Sequence, residues 1–225
     1  MIVVVALLFG FLPSLIWLAF FLREDVHPEP RTLIAKVYIW GGISALAALA
    51  IEYLTQGAVN SAVITLPRIF SSNITPFIAF AAVEEVVKFA FVFMIVRKNP
   101  FFDEPVDAMI YATTGALGFA AAENFFLVLS NGFSGVFGLI VVRFVGATLL
   151  HALSSAIVGH HWARGIKYHM EAKMIFIGLV LASVFHAAFN VLVFNFSDYL
   201  IYPIALLLLV GFFVLYDFEE LRQME

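Results

Sequence analysis

The sequence predicts an all-α protein, a polytopic bundle of about seven membrane-spanning helices. Three observations predict it. Of the 225 residues, 63% are hydrophobic and the mean hydropathy is +1.02, well above the roughly half apolar content of soluble domains. Apolar runs long enough to cross a bilayer recur along the chain, separated by short polar breaks. Lysine and arginine gather in alternate breaks, the pattern of a multi-pass topology.

Helices are expected near 2–22, 33–55, 74–97, 105–130, 137–164, 172–196 and 199–217. The first run lacks the positive flank of a cleaved signal peptide and is read as a retained helix. "REDVHPEP" breaks the chain after it with two prolines and mixed charge, and "RKNPFFDEP" follows the third helix. In "EPVD" at 104–107, Pro105 suits a first helical turn and the acidic residues suit the positive end of the helix dipole. "SNGFSGVFG" separates the fourth helix from the fifth, and "NFSDY" the sixth from the seventh. No linker divides the chain, so residues 1–225 are expected to form a single integral membrane domain. Arg23, Arg31 and Lys36 lie around the first break, Arg97 and Lys98 in the third, and Arg164, Lys167 and Lys173 around the fifth. The second holds only Arg68, and the fourth and sixth hold none. Positive charge stays inside, so the N-terminus is expected outside and the C-terminus in the cytoplasm.

The net charge of -4 and the lack of any basic cluster argue against nucleic acid as a partner. With no cysteine, thiol chemistry and disulfides are excluded. The informative residues are ionisable groups inside the apolar runs. These are Glu84, Glu85 and Lys88, Glu123 with Asn124, Arg143, His151, and His186 with Asn190. Each charge at a helix centre costs ~2.5–3.5 kcal/mol on insertion scales, so such groups face a protein interior or a watery cavity. At 1.5 Å per residue, Glu84 lies ~15 Å, His186 ~16 Å, Glu123 ~12 Å and His151 ~20 Å below the expected outer helix ends. Four helices therefore place ionisable groups in one slab. Glu84 with Lys88, and His186 with Asn190, share helix faces at i,i+4. Glu52, His160 and His161 are expected near helix ends, and small residues at Gly115 and Gly118 are expected to admit close helix approach.

This set can hydrolyse a peptide bond in two ways. A partly desolvated glutamate can act as general base for water, with histidine and asparagine donating to the oxyanion. Alternatively Glu123, His151 and His186 match the His2Glu ligand set of catalytic zinc, leaving another glutamate to activate water. The residues alone leave both schemes open. A third motif, "GFSG" at 132–135, resembles the GxSG signature of rhomboid serine proteases, with Ser134 as nucleophile, but the rest of that pattern is absent.

At these positions the chain resembles the PrsW family of intramembrane proteases and, more distantly, the CAAX prenyl endopeptidase and bacteriocin-processing group. Four segments carry the resemblance: "EEVVK" at 84–88, "EPVDAMIYATTGALGFAAAEN" at 104–124, "RFVGATLLHALSSAIVG" at 143–159 and "FHAAFN" at 185–190. The second is the most specific, and it departs from the family at Ala108, where glycine is frequent. The resemblance implies a catalytic core over about 74–196, with Glu84, Glu85, Glu123, His151, His186 and Asn190 as active-site positions. It implies zinc as a candidate cofactor, although the CAAX-type relatives suggest a metal-free reading in which Glu84 and His151 activate water. It further implies a prokaryotic plasma-membrane location and a membrane-anchored protein substrate, for example an anti-sigma factor. Two rivals remain from other classes: a proton- or cation-coupled transporter, since carboxylate and histidine relays also mark ion pathways, and a non-catalytic protein that binds a membrane partner. Oligomeric state and lipid requirement are not legible.

Overall fold

The computed structural model describes residues 2–65, 74–131, 146–196 and 199–224. Seven α-helices and no strands occur among them: α1 (Ile2–Phe21), α2 (Arg31–Thr65), α3 (Ile74–Val96), α4 (Asp107–Asn131), α5 (Thr148–Lys167), α6 (Glu171–Asn195) and α7 (Ile201–Arg222). Four stretches are long and apolar enough to cross a membrane: Arg31–Gly57, Asp107–Ser130, Glu171–Asn195 and Ile201–Arg222. α3 departs from a plain apolar span because it carries Glu84, Glu85 and Lys88. α5 departs because it carries three histidines and two serines, all but His161 buried. The start of the expected fifth helix, with Arg143 and Ser134, lies outside the described residues. α2 runs about ten residues further than its pattern suggested, since no proline or charge interrupts "TQGAVNSAVIT".

α4 is the axis of the bundle. Its residues from Asp107 to Ala121 are all buried, enclosed by α1, α2 and α5, with α3 touching it more lightly. α6 packs on α5 and α3, and α7 lies outside against α5. The composition of α4 explains its place: alanine, glycine and threonine dominate its surface, and small residues let helix backbones approach closely. A Cβ at Gly118 would stand 1.9 Å from the Tyr38 carbonyl oxygen, and one at Gly41 2.0 Å from the Gly115 oxygen. α2 and α4 thus cross backbone to backbone through glycines on both. The outer surfaces are the reverse. Leu208, Phe212 and Tyr216 on α7 and Leu12 and Ile16 on α1 are exposed, as expected of side chains that face acyl chains.

The polar breaks meet at one end of the bundle. His27 Nδ1 lies 2.8 Å from Glu104 Oε1, joining the first break to the third. Arg97 Nη2 lies 3.5 Å from Glu171 Oε2, joining the third to the fifth. Arg222 pairs with Glu24, and Lys167 Nζ donates to the Met224 carbonyl at 3.3 Å. The three basic breaks and the C-terminal tail therefore share one face, as the charge pattern requires. At that face Asp107 Oδ2 accepts the backbone N–H groups of Asp103 (3.0 Å) and Glu104 (2.8 Å), closing the turn that starts α4. Tyr111 donates to Glu29 beside it. Burial raises the Glu29 carboxyl above its ordinary pKa, against the lowering effect of the Tyr111 hydroxyl.

Candidate functional site

The intramembrane polar set converges from four helices. α3 supplies Glu84, Glu85 and Lys88, α4 supplies Glu123, α5 supplies His151 and Ser154, and α6 supplies His186. Glu85 is the hub. It is 1% exposed, and its Oε1 accepts from three donors: Lys88 Nζ at 2.6 Å, His186 at 2.7 Å and Ser154 Oγ at 2.9 Å. The helical register puts Lys88 on one face with Glu84 at i,i+4. The structure pairs it with Glu85 at i,i+3 instead, because Glu85 points into the bundle where His186 and Ser154 also reach it.

Partner chemistry fixes where the histidine protons sit. An ammonium has only donors and a carboxylate only acceptors. His151 Nδ1 faces Lys88 Nζ at 3.1 Å, so it accepts, and its proton is on Nε2. That Nε2–H donates to Glu123 Oε2 at 2.8 Å. His186 faces Glu85 through Nδ1, so Nδ1 carries the proton and Nε2 holds a lone pair. The two rings meet edge to face, 5.0 Å apart. Phe119 of α4 closes one side, 5.3 Å from the His151 ring and beneath the Lys88 ammonium at 5.3 Å.

Glu84 completes the site. Its buried Oε2 has no hydrogen-bond partner and lies 3.7 Å from His186 Nε2 and 3.9 Å from His151 Nδ1. Glu84 Oε2 and His186 Nε2 thus turn lone pairs toward one point, and the His151 Nδ1 lone pair beside them is engaged by Lys88 Nζ. Such atoms repel unless a donor or a cation lies among them, so the arrangement suits either a polarised water or a metal ion. The donor set fits zinc by type, two imidazoles and one carboxylate. The separations of 3.7 and 3.9 Å are wider than the ~3.3–3.6 Å between ligands bonded at ~2.0–2.2 Å to a tetrahedral zinc, so binding an ion requires the three groups to draw in and Lys88 to release His151 Nδ1. His186 is oriented by Glu85 through its other nitrogen, the carboxylate–histidine arrangement that commonly supports a metal ligand. The converging group holds Glu84, His151 and His186, whereas Glu123 lies on the far nitrogen of His151.

Asn124 turns away to donate to Thr148 Oγ1 at 3.0 Å. Asn190, one turn along α6 from His186, is half-buried and makes no hydrogen bond to these side chains among the described residues. Ser154 is not among the candidate residues singled out from the sequence, and the structure gives it a specific task on Glu85. Its spacing of three from His151, on the same helix face, was the available signal. Glu52 was expected at a helix end. It lies instead well inside the longer α2, where it and Glu123 line a cavity of about 570 Å3 between α2 and α4. Apart from Glu52, Glu123 and Ser130 the lining is apolar.

Comparison with known proteins decides the family. The model of the PrsW family of intramembrane metalloproteases matches residues 29–216. The chain belongs to the PrsW family. It is 27% identical over 216 residues to Protease PrsW of Oceanobacillus iheyensis, covering 95% of this chain and 94% of that one. Protease PrsW of Geobacillus kaustophilus is 27% identical over 147 residues, 64% of this chain and 59% of the relative. Protease PrsW of Bacillus subtilis is 22% identical over 216 residues, again 95% and 94%. No solved structure matches the chain significantly. Like its PrsW relatives it is a membrane-embedded protease acting on protein substrates, and Glu84, His151 and His186 are donors of the type that a family described as metalloproteases uses.

Lys88 is 2% exposed and is the cation nearest the Glu85 hub. Removing one partner of a buried pair leaves an uncompensated charge and typically costs about 3–5 kcal/mol. Lys88→Met is therefore expected to lower the thermal unfolding midpoint in detergent clearly, whereas an unchanged midpoint would show that the pair does not hold the site together.

Proposed function

We propose that this PrsW-family protease hydrolyses a peptide bond of a membrane-anchored protein, an anti-sigma factor being one example, with water positioned by Glu84, His151 and His186. The observation that carries the reading is the convergence of Glu84 Oε2, His186 Nε2 and His151 Nδ1 within hydrogen-bonding or ligating reach of one point. Glu84 takes the proton of the attacking water as its oxygen adds to the peptide carbonyl carbon. It returns that proton to the nitrogen as the C–N bond breaks. Glu85 holds His186 in the Nδ1–H form, and Glu123 holds His151 in the Nε2–H form. Asn190 is the amide on the His186 face that could donate to the oxyanion once substrate is bound. A zinc ion held by Glu84, His151 and His186 would supply Lewis acidity to the water and the carbonyl when bound, with Glu84 then a ligand in place of the base. The mostly apolar cavity between α2 and α4 reaches Glu123 and suits an extended apolar segment of substrate.

Residues 1–225 act in this reading as one integral membrane domain with the catalytic core over about 74–196. Its location is a prokaryotic plasma membrane, with the basic face and the C-terminus in the cytoplasm and the N-terminus outside. The shared face of the basic breaks supports this orientation. The transporter and binding-protein alternatives draw no support from a family of named proteases.

Cleavage of a candidate membrane-anchored substrate by purified protein, before and after chelation, tests the reading. Glu84→Gln and His151→Ala should each reduce cleavage by about a hundredfold or more, as expected for loss of a general base, with insertion and folding intact. Full activity in either variant would refute the assignment. Chelation that abolishes cleavage would make the converging trio metal ligands, and cleavage unchanged in metal-free protein would leave Glu84 as the base for unligated water. Ser134→Ala should be silent, and an inactive variant would return the serine mechanism. For orientation, a reporter fused after Glu225 should be active only as a cytoplasmic fusion; a periplasmic or extracellular signal would invert the topology.

A further inference from the structure

A second group of ligating side chains lies away from the active site, where α5 meets the end of α7. His160 of α5 is 5% exposed. Its Nδ1 stands 3.3 Å from Asp217 Oδ2 and its Nε2 3.4 Å from Glu220 Oε2, both on α7. Asp217 and Glu220 are i,i+3 and so present both carboxylates to one side of their helix. Two features separate this group from an ordinary buried ion pair. The buried His160 Nε2 makes no hydrogen bond although a carboxylate faces it. The nitrogen–oxygen separations also exceed the ~2.7–2.9 Å of charge-assisted hydrogen bonds. A single ion takes only one ring nitrogen, and the unpartnered Nε2, with Glu220 Oε2 3.4 Å away, is the one placed to ligate.

We propose that His160, Asp217 and Glu220 form a second, structural site for a divalent transition-metal ion of the zinc class. One ligand atom from each comes within 4.8 Å of the others. One imidazole nitrogen with two carboxylates is a mixed donor set that suits zinc, cobalt or manganese more than calcium or magnesium, which prefer oxygen alone. Arg164 Nη1 lies 3.9 Å from Glu220 Oε1 and steadies that carboxylate from outside. The neighbouring His161 ring is 5.5 Å away and is engaged with the Ile157 carbonyl. The adjacent histidines expected at this helix end are therefore not a ligand pair: His160 takes its partners from α7.

The need for a clamp follows from packing. α7 buries only a thin stripe, Pro203, Leu207, Val214, Phe218 and Leu221, and leans chiefly on α5. An ion shared by His160, Asp217 and Glu220 would pin its C-terminal end where Arg222 also reaches Glu24.

Metal binding to the full-length chain tests the proposal. The protein is stripped of metal in detergent micelles and titrated with Co2+, whose visible absorption reports nitrogen and oxygen ligation. His186→Ala, which removes an active-site ligand, serves as the background so that any ion held there is lost in all samples. On that background one Co2+ ion per chain should remain. Adding Asp217→Asn/Glu220→Gln, or separately His160→Gln, should weaken its binding at least tenfold and remove the rise in melting temperature that Zn2+ produces. His160→Gln covers the case in which the double substitution fails to fold. Equal binding with and without these substitutions, or no binding on the His186→Ala background, would overturn the proposal. Neither result bears on the protease reading, which depends on Glu84 and His151.

Discussion

The arrangement of the active site depends on one buried charge pair, Glu85 with Lys88. A carboxylate at membrane depth is costly alone, by ~2.5–3.5 kcal/mol even on the mildest scale. Glu85 meets that cost with three donors on one oxygen, drawn from its own helix, α5 and α6. The consequence is directional. Because Glu85 accepts from His186 Nδ1, His186 must present its Nε2 lone pair toward Glu84. Because Lys88 donates to His151 Nδ1, His151 must carry its proton on Nε2, toward Glu123. The pair thus sets opposite tautomers in two histidines 5.0 Å apart. It leaves Glu84, the neighbour at 84, without a protein partner on Oε2 and available for chemistry.

Helix packing makes that pair reachable. α4 lies at the centre because its small residues let α2 come within backbone contact at Gly41, Gly115 and Gly118. α5 meets it as closely: a Cβ at Gly159 would stand 2.5 Å from the Ala108 carbonyl oxygen. Ala108, the departure from the family's usual glycine, is itself fully buried there, so a methyl group is accommodated at that contact. With α4 so enclosed, Glu123 reaches His151 from one side while α3 and α6 bring the remaining groups from the other. The same crossing leaves the cavity beside Glu123 and Glu52.

Much of this was legible in the sequence. The helices follow from apolar runs, and their common face follows from where arginine and lysine fall. The depth argument brought Glu84, Glu123, His151 and His186 into one slab, and the structure joins all four in one network. Pairing within the network was less legible. Helical spacing permits Lys88 to reach either residue 84 or 85. The choice is made by Ser154 and His186, which lie 69 and 101 residues away in sequence. His160 likewise takes its partners from α7, across a separation that local pattern does not encode. Glu52 was placed near a helix end because the second helix was expected to stop at residue 55, whereas α2 continues through Gln56 and Gly57 to Thr65.

The central claim is that the Glu85–Lys88 pair holds His151 and His186 in opposite tautomers. It is tested most directly by nitrogen-15 NMR of histidine-labelled protein in bilayers at neutral pH. With six histidines in the chain, the two signals can be assigned by single His→Gln substitution. The account predicts a proton on Nε2 of His151 and on Nδ1 of His186, whether or not a metal is bound. The same tautomer in both rings, or a doubly protonated ring in either, would contradict it.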